Sequence, residues 1–66
     1  MRTLDSEELR ALELFARGRP AEELAIELGV NKSTAIHCLR VAARKLNARN
    51  RVHAVAIVVR LGLVNL

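Results

Sequence analysis

Beyond Glu27 the chain has no carboxylate side chain at all. Its seven acids, Asp5, Glu7, Glu8, Glu13, Glu22, Glu23 and Glu27, are interspersed with Arg2, Arg10, Arg17 and Arg19, whereas Lys32, Arg40, Arg44, Lys45, Arg49, Arg51 and Arg60 follow unopposed. A solvated surface usually mixes both signs, so a second half of one sign points to a polyanionic partner, either nucleic acid or an anionic membrane surface. Tryptophan is also absent. A membrane-surface helix would be expected to carry it opposite a broad cationic face, which favours nucleic acid. No apolar run approaches the ~20 residues of a membrane span. The start, "MRTLDSEELRALE", interrupts any signal-peptide pattern with carboxylates. A single cysteine, Cys38, excludes an internal disulfide and fits a reducing compartment, so the expected setting is a soluble cytoplasmic domain. With 66 residues there is one domain, 1–66, a thin core and little room for a large ligand pocket. There is no β-alternation, repeat or low-complexity tract.

What is present is helical punctuation. In "LDSEEL", Asp5 and Glu8 have capping-box spacing and Leu4 and Leu9 that of a hydrophobic staple. A helix over about 6–17 follows, with Leu9, Leu12, Phe15 and Ala16 on one face, until Gly18. A second opens near Pro20, which suits a first helical turn, and ends at Gly29 with Leu24, Ala25 and Leu28 inward. After "GVN" a third begins, with Asn31, Ser33 or Thr34 as its cap. A fourth runs from about Arg51 to Leu61, and Gly62 closes it. The expected fold is all-α, four short helices around one core. Ala25 and Gly29 stand four apart, as a helix-turn-helix requires of a small residue and a turn glycine. An ordinary helical hairpin has connections just as short.

In "NKSTAIHCLRVAARKL" the residues Ala35, Leu39, Ala42 and Leu46 fall within about 60° of one another at 100° per residue, with Cys38 and Ala43 at the margins. That leaves an exposed arc of Ile36, Arg40, Arg44, His37, Val41, Thr34 and Lys45 without any acid. Forked arginine donors can bond guanine, His37 can donate or accept, and Ile36 can meet a thymine methyl group. Such a face suits a DNA major groove.

The runs "LDSEELRALELFARG" and "AEELAIELGVNKSTAIHCLRVAARKLNARNRVHAVAIVVRLGLV" resemble the C-terminal DNA-binding domain of LuxR/FixJ-type bacterial transcription regulators over nearly the whole length. The most specific elements are "ST", "KLNARNRVHAV" and the terminal "GLV". The resemblance implies a four-helix helix-turn-helix domain whose third helix enters the major groove and whose fourth makes a two-fold dimer contact. Carried over by position, Ile36, His37 and Arg40 read bases, while Lys32, Ser33, Thr34, Arg44 and Lys45 meet the backbone. The family often has Val where Ala35 stands, His where Cys38 stands, a basic or polar residue where Ile36 stands and Ser or Thr where Pro20 stands. The phrasing is closest to the acyl-homoserine-lactone quorum-sensing branch, which implies a ligand-binding domain ahead of this segment.

On the fourth helix Ala54, Ile57, Val58 and Leu61 form one apolar arc for the core. Val52, Val55, Ala56 and Val59 lie on another side, with only His53 and Arg60 as a polar edge. A helix apolar over most of its circumference buries a second face or exposes it, so this set is the expected homodimer contact. Other chemistry finds little support. His37 and Cys38 point about 100° apart and only His53 could join them, short of the three or four ligands zinc requires. Cys38 reads as a small core residue rather than a redox sensor. With no nucleophile, paired carboxylates or glycine-rich phosphate loop, no enzyme and no cofactor is expected. The expected function is sequence-specific binding of double-stranded DNA as a homodimer, with RNA polymerase as a further candidate partner. The alternatives are a basic membrane-surface module and a protein-interaction domain or anti-activator pairing through the fourth helix.

Overall fold

In the computed structural model, which describes residues 4–64, helix α1 is Ser6–Ala16, α2 Ala21–Leu28, α3 Lys32–Lys45 and α4 Arg51–Arg60. No strand occurs among the described residues. The fold is the all-α four-helix arrangement expected, with α1 and α4 each ending one residue early. Met1 and Arg2, the latter counted among the cations, lie outside the described residues.

Local chemistry explains each helix start. The Glu8 backbone N–H donates to Asp5 Oδ1 at 2.8 Å and the Asp5 N–H to Glu8 Oε1 at 3.0 Å, a complete capping box. Pro20 precedes α2 as its N-cap in extended backbone rather than sitting inside the first turn, and it supplies no side-chain cap. At α3 the cap is Asn31, whose Oδ1 accepts from the Thr34 N–H at 2.8 Å, and Ser33 and Thr34 are helical. Asn50 does the same for the His53 N–H at 2.8 Å at the start of α4.

The corner between α2 and α3 is fixed by Gly29, at φ +69°. There the Val30 N–H donates to the Ala25 carbonyl at 2.9 Å, as the left-handed residue closes the helix end. A Cβ on Gly29 would meet nothing within 4 Å, so the requirement is conformational, not steric. Asn47, at φ +56°, plays the equivalent part after α3, where the Ala48 N–H donates to the Ala43 carbonyl at 2.9 Å.

Helix α3 packs on all three other helices, and Ala35, Leu39, Ala42 and Leu46 are buried as the periodicity requires, with Ala43 beside them. Two expectations about the core need correction. Helix α1 is also packed on three sides, so it buries Ala11, Leu12 and Leu14, while Leu9 and Phe15 are only partly covered. On α4, Ala54 and Val58 are buried, but Leu61 is 50% exposed. The left-handed turn at Gly62, closed by the Leu63 N–H on the Val58 carbonyl at 2.9 Å, brings Val64 onto the core in its place. The "GLV" run is therefore a structural closure.

Candidate nucleic-acid interface

The outward face of α3 carries most of what the sequence placed there. Lys32, Ser33, Thr34, His37, Arg40 and Arg44 are exposed. Ile36 and Val41 are half-buried, because the neighbouring helices close over the edges of the arc.

Lys45 differs more. It is half-buried, and its Nζ lies 2.7 Å from Oε1 of Glu8. Glu8 is the one buried charged residue among those described, and the same oxygen serves the α1 capping box. The end of α3 is thus clasped to the start of α1, and Lys45 belongs to that clasp and not to the open arc. Lys32 is also paired, with Glu22 at 2.7 Å, but both side chains stay exposed. The hydrogen bond and charge of Lys32 hold the Glu22 carboxyl below its ordinary range.

The remaining ion pairs described, Arg10 with Glu13 and Glu27, Arg17 with Glu13 and Arg19 with Glu23, all lie on α1, α2 and the link between them. Five of the seven acids, Glu8, Glu13, Glu22, Glu23 and Glu27, are therefore in ion pairs, while Arg40, Arg44, Arg49, Arg51 and Arg60 are in none of those described.

Of these, Arg40, Arg44, Arg49 and Arg51 share a cleft. Ile36, Arg40, Ala43 and Arg44 of α3 face Ala48, Arg49, Asn50 and Arg51 of the following loop and α4 across a surface depression of about 430 Å³. It is a half-open groove between the two helices. Its loop is anchored by the Arg49 N–H, which donates to Nδ1 of His53 at 3.0 Å. The Arg51 guanidinium lies 5.6 Å from the centroid of the Phe15 ring, within cation–π range. Three expected contact residues, Ile36, Arg40 and Arg44, are brought together here. His37, Lys32, Ser33 and Thr34 lie outside the cleft, and Arg49, Asn50 and Arg51 were missed. The signal for them was available in "NARNR", where two arginines flank a helix cap with no acid nearby.

No group of three or more possible metal ligands occurs among the described residues. Burial first, and then the charges of Glu7, Asp5 and Glu8, push the Cys38 thiol above its ordinary range. On α4, Val52 is 70% and Val59 40% exposed, and Ala56 is exposed too. Val55, expected on the same outer face, is partly buried against the core, because it lies between the core arc and the outer one. No helix among the described residues is long and apolar enough to cross a membrane.

A capped four-helix unit with a glycine corner between its second and third helices is compatible with a helix-turn-helix domain. Two regulators are similar to it. Response regulator RamR of Streptomyces coelicolor is 40% identical over 55 residues, 83% of this chain and 27% of that protein. Transcriptional activator protein BjaR1 of Bradyrhizobium diazoefficiens is 37% identical over 62 residues, 94% of this chain and 26% of that protein. The chain belongs to the LuxR-type helix-turn-helix domains, and it spans about a quarter of the length of these relatives. No protein-family model and no solved structure matches it.

Proposed function

We propose that the domain binds double-stranded DNA sequence-specifically, with α3 in the major groove, and regulates transcription from the cytoplasm. The observation that carries this is the segregation of charge. Every acid sits before residue 28, and the ion pairs described engage none of the arginines of α3 and α4. Ile36, His37 and Arg40 read base edges, and Lys32, Ser33, Thr34 and Arg44 meet phosphates. Lys45 reaches a phosphate only by leaving Glu8. Pairing through α4 makes the unit a homodimer on a two-fold symmetric site, and RNA polymerase is a further candidate partner. The relatives are a named response regulator and a named transcriptional activator, which supports the domain acting as the DNA-binding part of a larger regulator, with a sensor domain alongside it.

The test is binding to duplexes selected from a random pool, followed across salt concentration. A steep decline of log K with log salt, about 0.9 per phosphate neutralised, is expected. Salt-independent binding, or none, favours the second reading, a protein-interaction domain using the exposed valines of α4.

A further inference from the structure

The cleft between α3 and α4 concentrates Arg40, Arg44, Arg49 and Arg51 around one concavity, and none of the four takes part in an ion pair described. Cations gathered without a counter-charge repel one another, and the field they sum is strongest inside the depression. Their backbone is not free to spread and relieve this. Arg49 is tied through its N–H to His53, Asn50 caps α4 through the His53 N–H, and Arg51 rests over Phe15. The start of α4 has no acid in its first turn, so the helix dipole adds to the positive field. Among the cleft-lining groups Ile36, Ala43 and Ala48 are apolar.

We infer that this cleft seats one sugar–phosphate step of a DNA strand, with Arg49 and Arg51 on the phosphate oxygens and the apolar side chains against deoxyribose carbons. The inference rests on the DNA-binding proposal and adds to it a contact made by the α3–α4 loop and the α4 start, where only α3 had been assigned. Size favours a backbone step over a free anion. A small anion would occupy only a fraction of about 430 Å³ and leave the rest of the groove hydrated, without contact to its apolar lining. Chemistry favours it too, since a sugar flanking each phosphate supplies the apolar surface that Ile36 and Ala48 present. The contact carries no base information and acts alike on every sequence.

The experiment compares wild type, Arg49→Gln and the double variant Arg49→Gln/Arg51→Gln on selected and scrambled duplexes across salt, with phosphate-ethylation interference on the selected duplex. Circular dichroism is read for each protein, because Arg51 also contacts Phe15. Arg49→Gln should reduce the salt slope by about 1 on both duplexes, and ethylation of one phosphate per half-site should block the wild type but not the variant. An unchanged slope and unchanged interference pattern in a folded Arg49→Gln protein would overturn the inference while wild-type DNA binding stood. A wild type that binds neither duplex would overturn the DNA-binding proposal with it. Displacement of wild type from DNA by micromolar mononucleotide would overturn it in favour of a free phosphorylated ligand.

Discussion

Arg40 and Arg44 stand one helical turn apart on α3 and line the same cleft, yet they should do different work. Arg40 is near the middle of the helix, and Arg44 lies a turn further from the end that enters a groove most deeply. Arg40→Ala should cost about 1–3 kcal/mol on the selected duplex and relax one base preference, whereas Arg44→Ala should weaken all duplexes alike. Equal losses on selected and random DNA for Arg40→Ala would refute the division of roles. Glu8 is the complementary case, a charge whose task is internal. Its carboxylate serves both the Asp5 N–H and Lys45, so Glu8→Ala strands a half-buried ammonium and an uncapped N–H. A loss of about 1–3 kcal/mol in urea unfolding is expected. Glu8→Gln keeps a neutral acceptor for the Asp5 N–H and should lose less, and equal losses for the two would mean that this acceptor contributes nothing and that the charge paired with Lys45 accounts for the whole loss.

Helix ends were legible because their chemistry is local. The Asp5–Glu8 box, the Asn31 cap and the Gly29 corner each involve residues three or four apart, whereas the Asn50 cap of α4 was not anticipated although it is equally local. The Lys45–Glu8 clasp spans 37 positions, and periodicity on one helix cannot reveal which neighbour closes over its edge. The same limit misplaced Leu61 and Val55. Angle alone put Leu61 in the core arc, but the Gly62 turn seats Val64 there, and Val55 sits on the boundary between buried and open arcs of α4. The cleft was half legible, since its α3 side follows from helical spacing while Arg49 and Arg51 enter only through the fold of the loop. Gly29 tests how far local conformation governs the corner. With nothing near a new Cβ, Gly29→Ala should be destabilising through the left-handed backbone alone, by about 1 kcal/mol after the gain from a stiffer unfolded chain. For a domain this small that is ~4–8 °C in Tm. Gly29→Asn, which tolerates that backbone better, should lose less. A fully neutral Gly29→Ala would mean that the corner relaxes to another conformation.

Charge and apolar surface divide the molecule into three regions: an acidic side on α1 and α2 whose ion pairs are internal, a basic side from α3 to the start of α4, and an uncharged stripe along the outside of α4. Val52, Ala56 and Val59 recur at i, i+4 and i+7, so they share one helix face, and all three are exposed. If the homodimer forms there, the same stripe meets its own copy across a two-fold axis. Three short side chains over two turns are far below a standard interface, so the isolated domain should be monomeric at micromolar concentration. Adjacent half-sites on one duplex raise the effective concentration enough for so small a contact to matter, and occupancy of a two-half-site duplex should then be cooperative. Val59→Glu places a carboxylate near its symmetry mate, where like charges repel, while its exposure in the monomer leaves the core untouched. The expected result is loss of cooperativity, with half-site affinity reduced only as one added negative charge requires, and an unchanged helical signal in circular dichroism. Val55→Glu should instead destabilise the domain, because Val55 packs partly against the core. Cooperativity that survives Val59→Glu would place the dimer contact elsewhere on the domain.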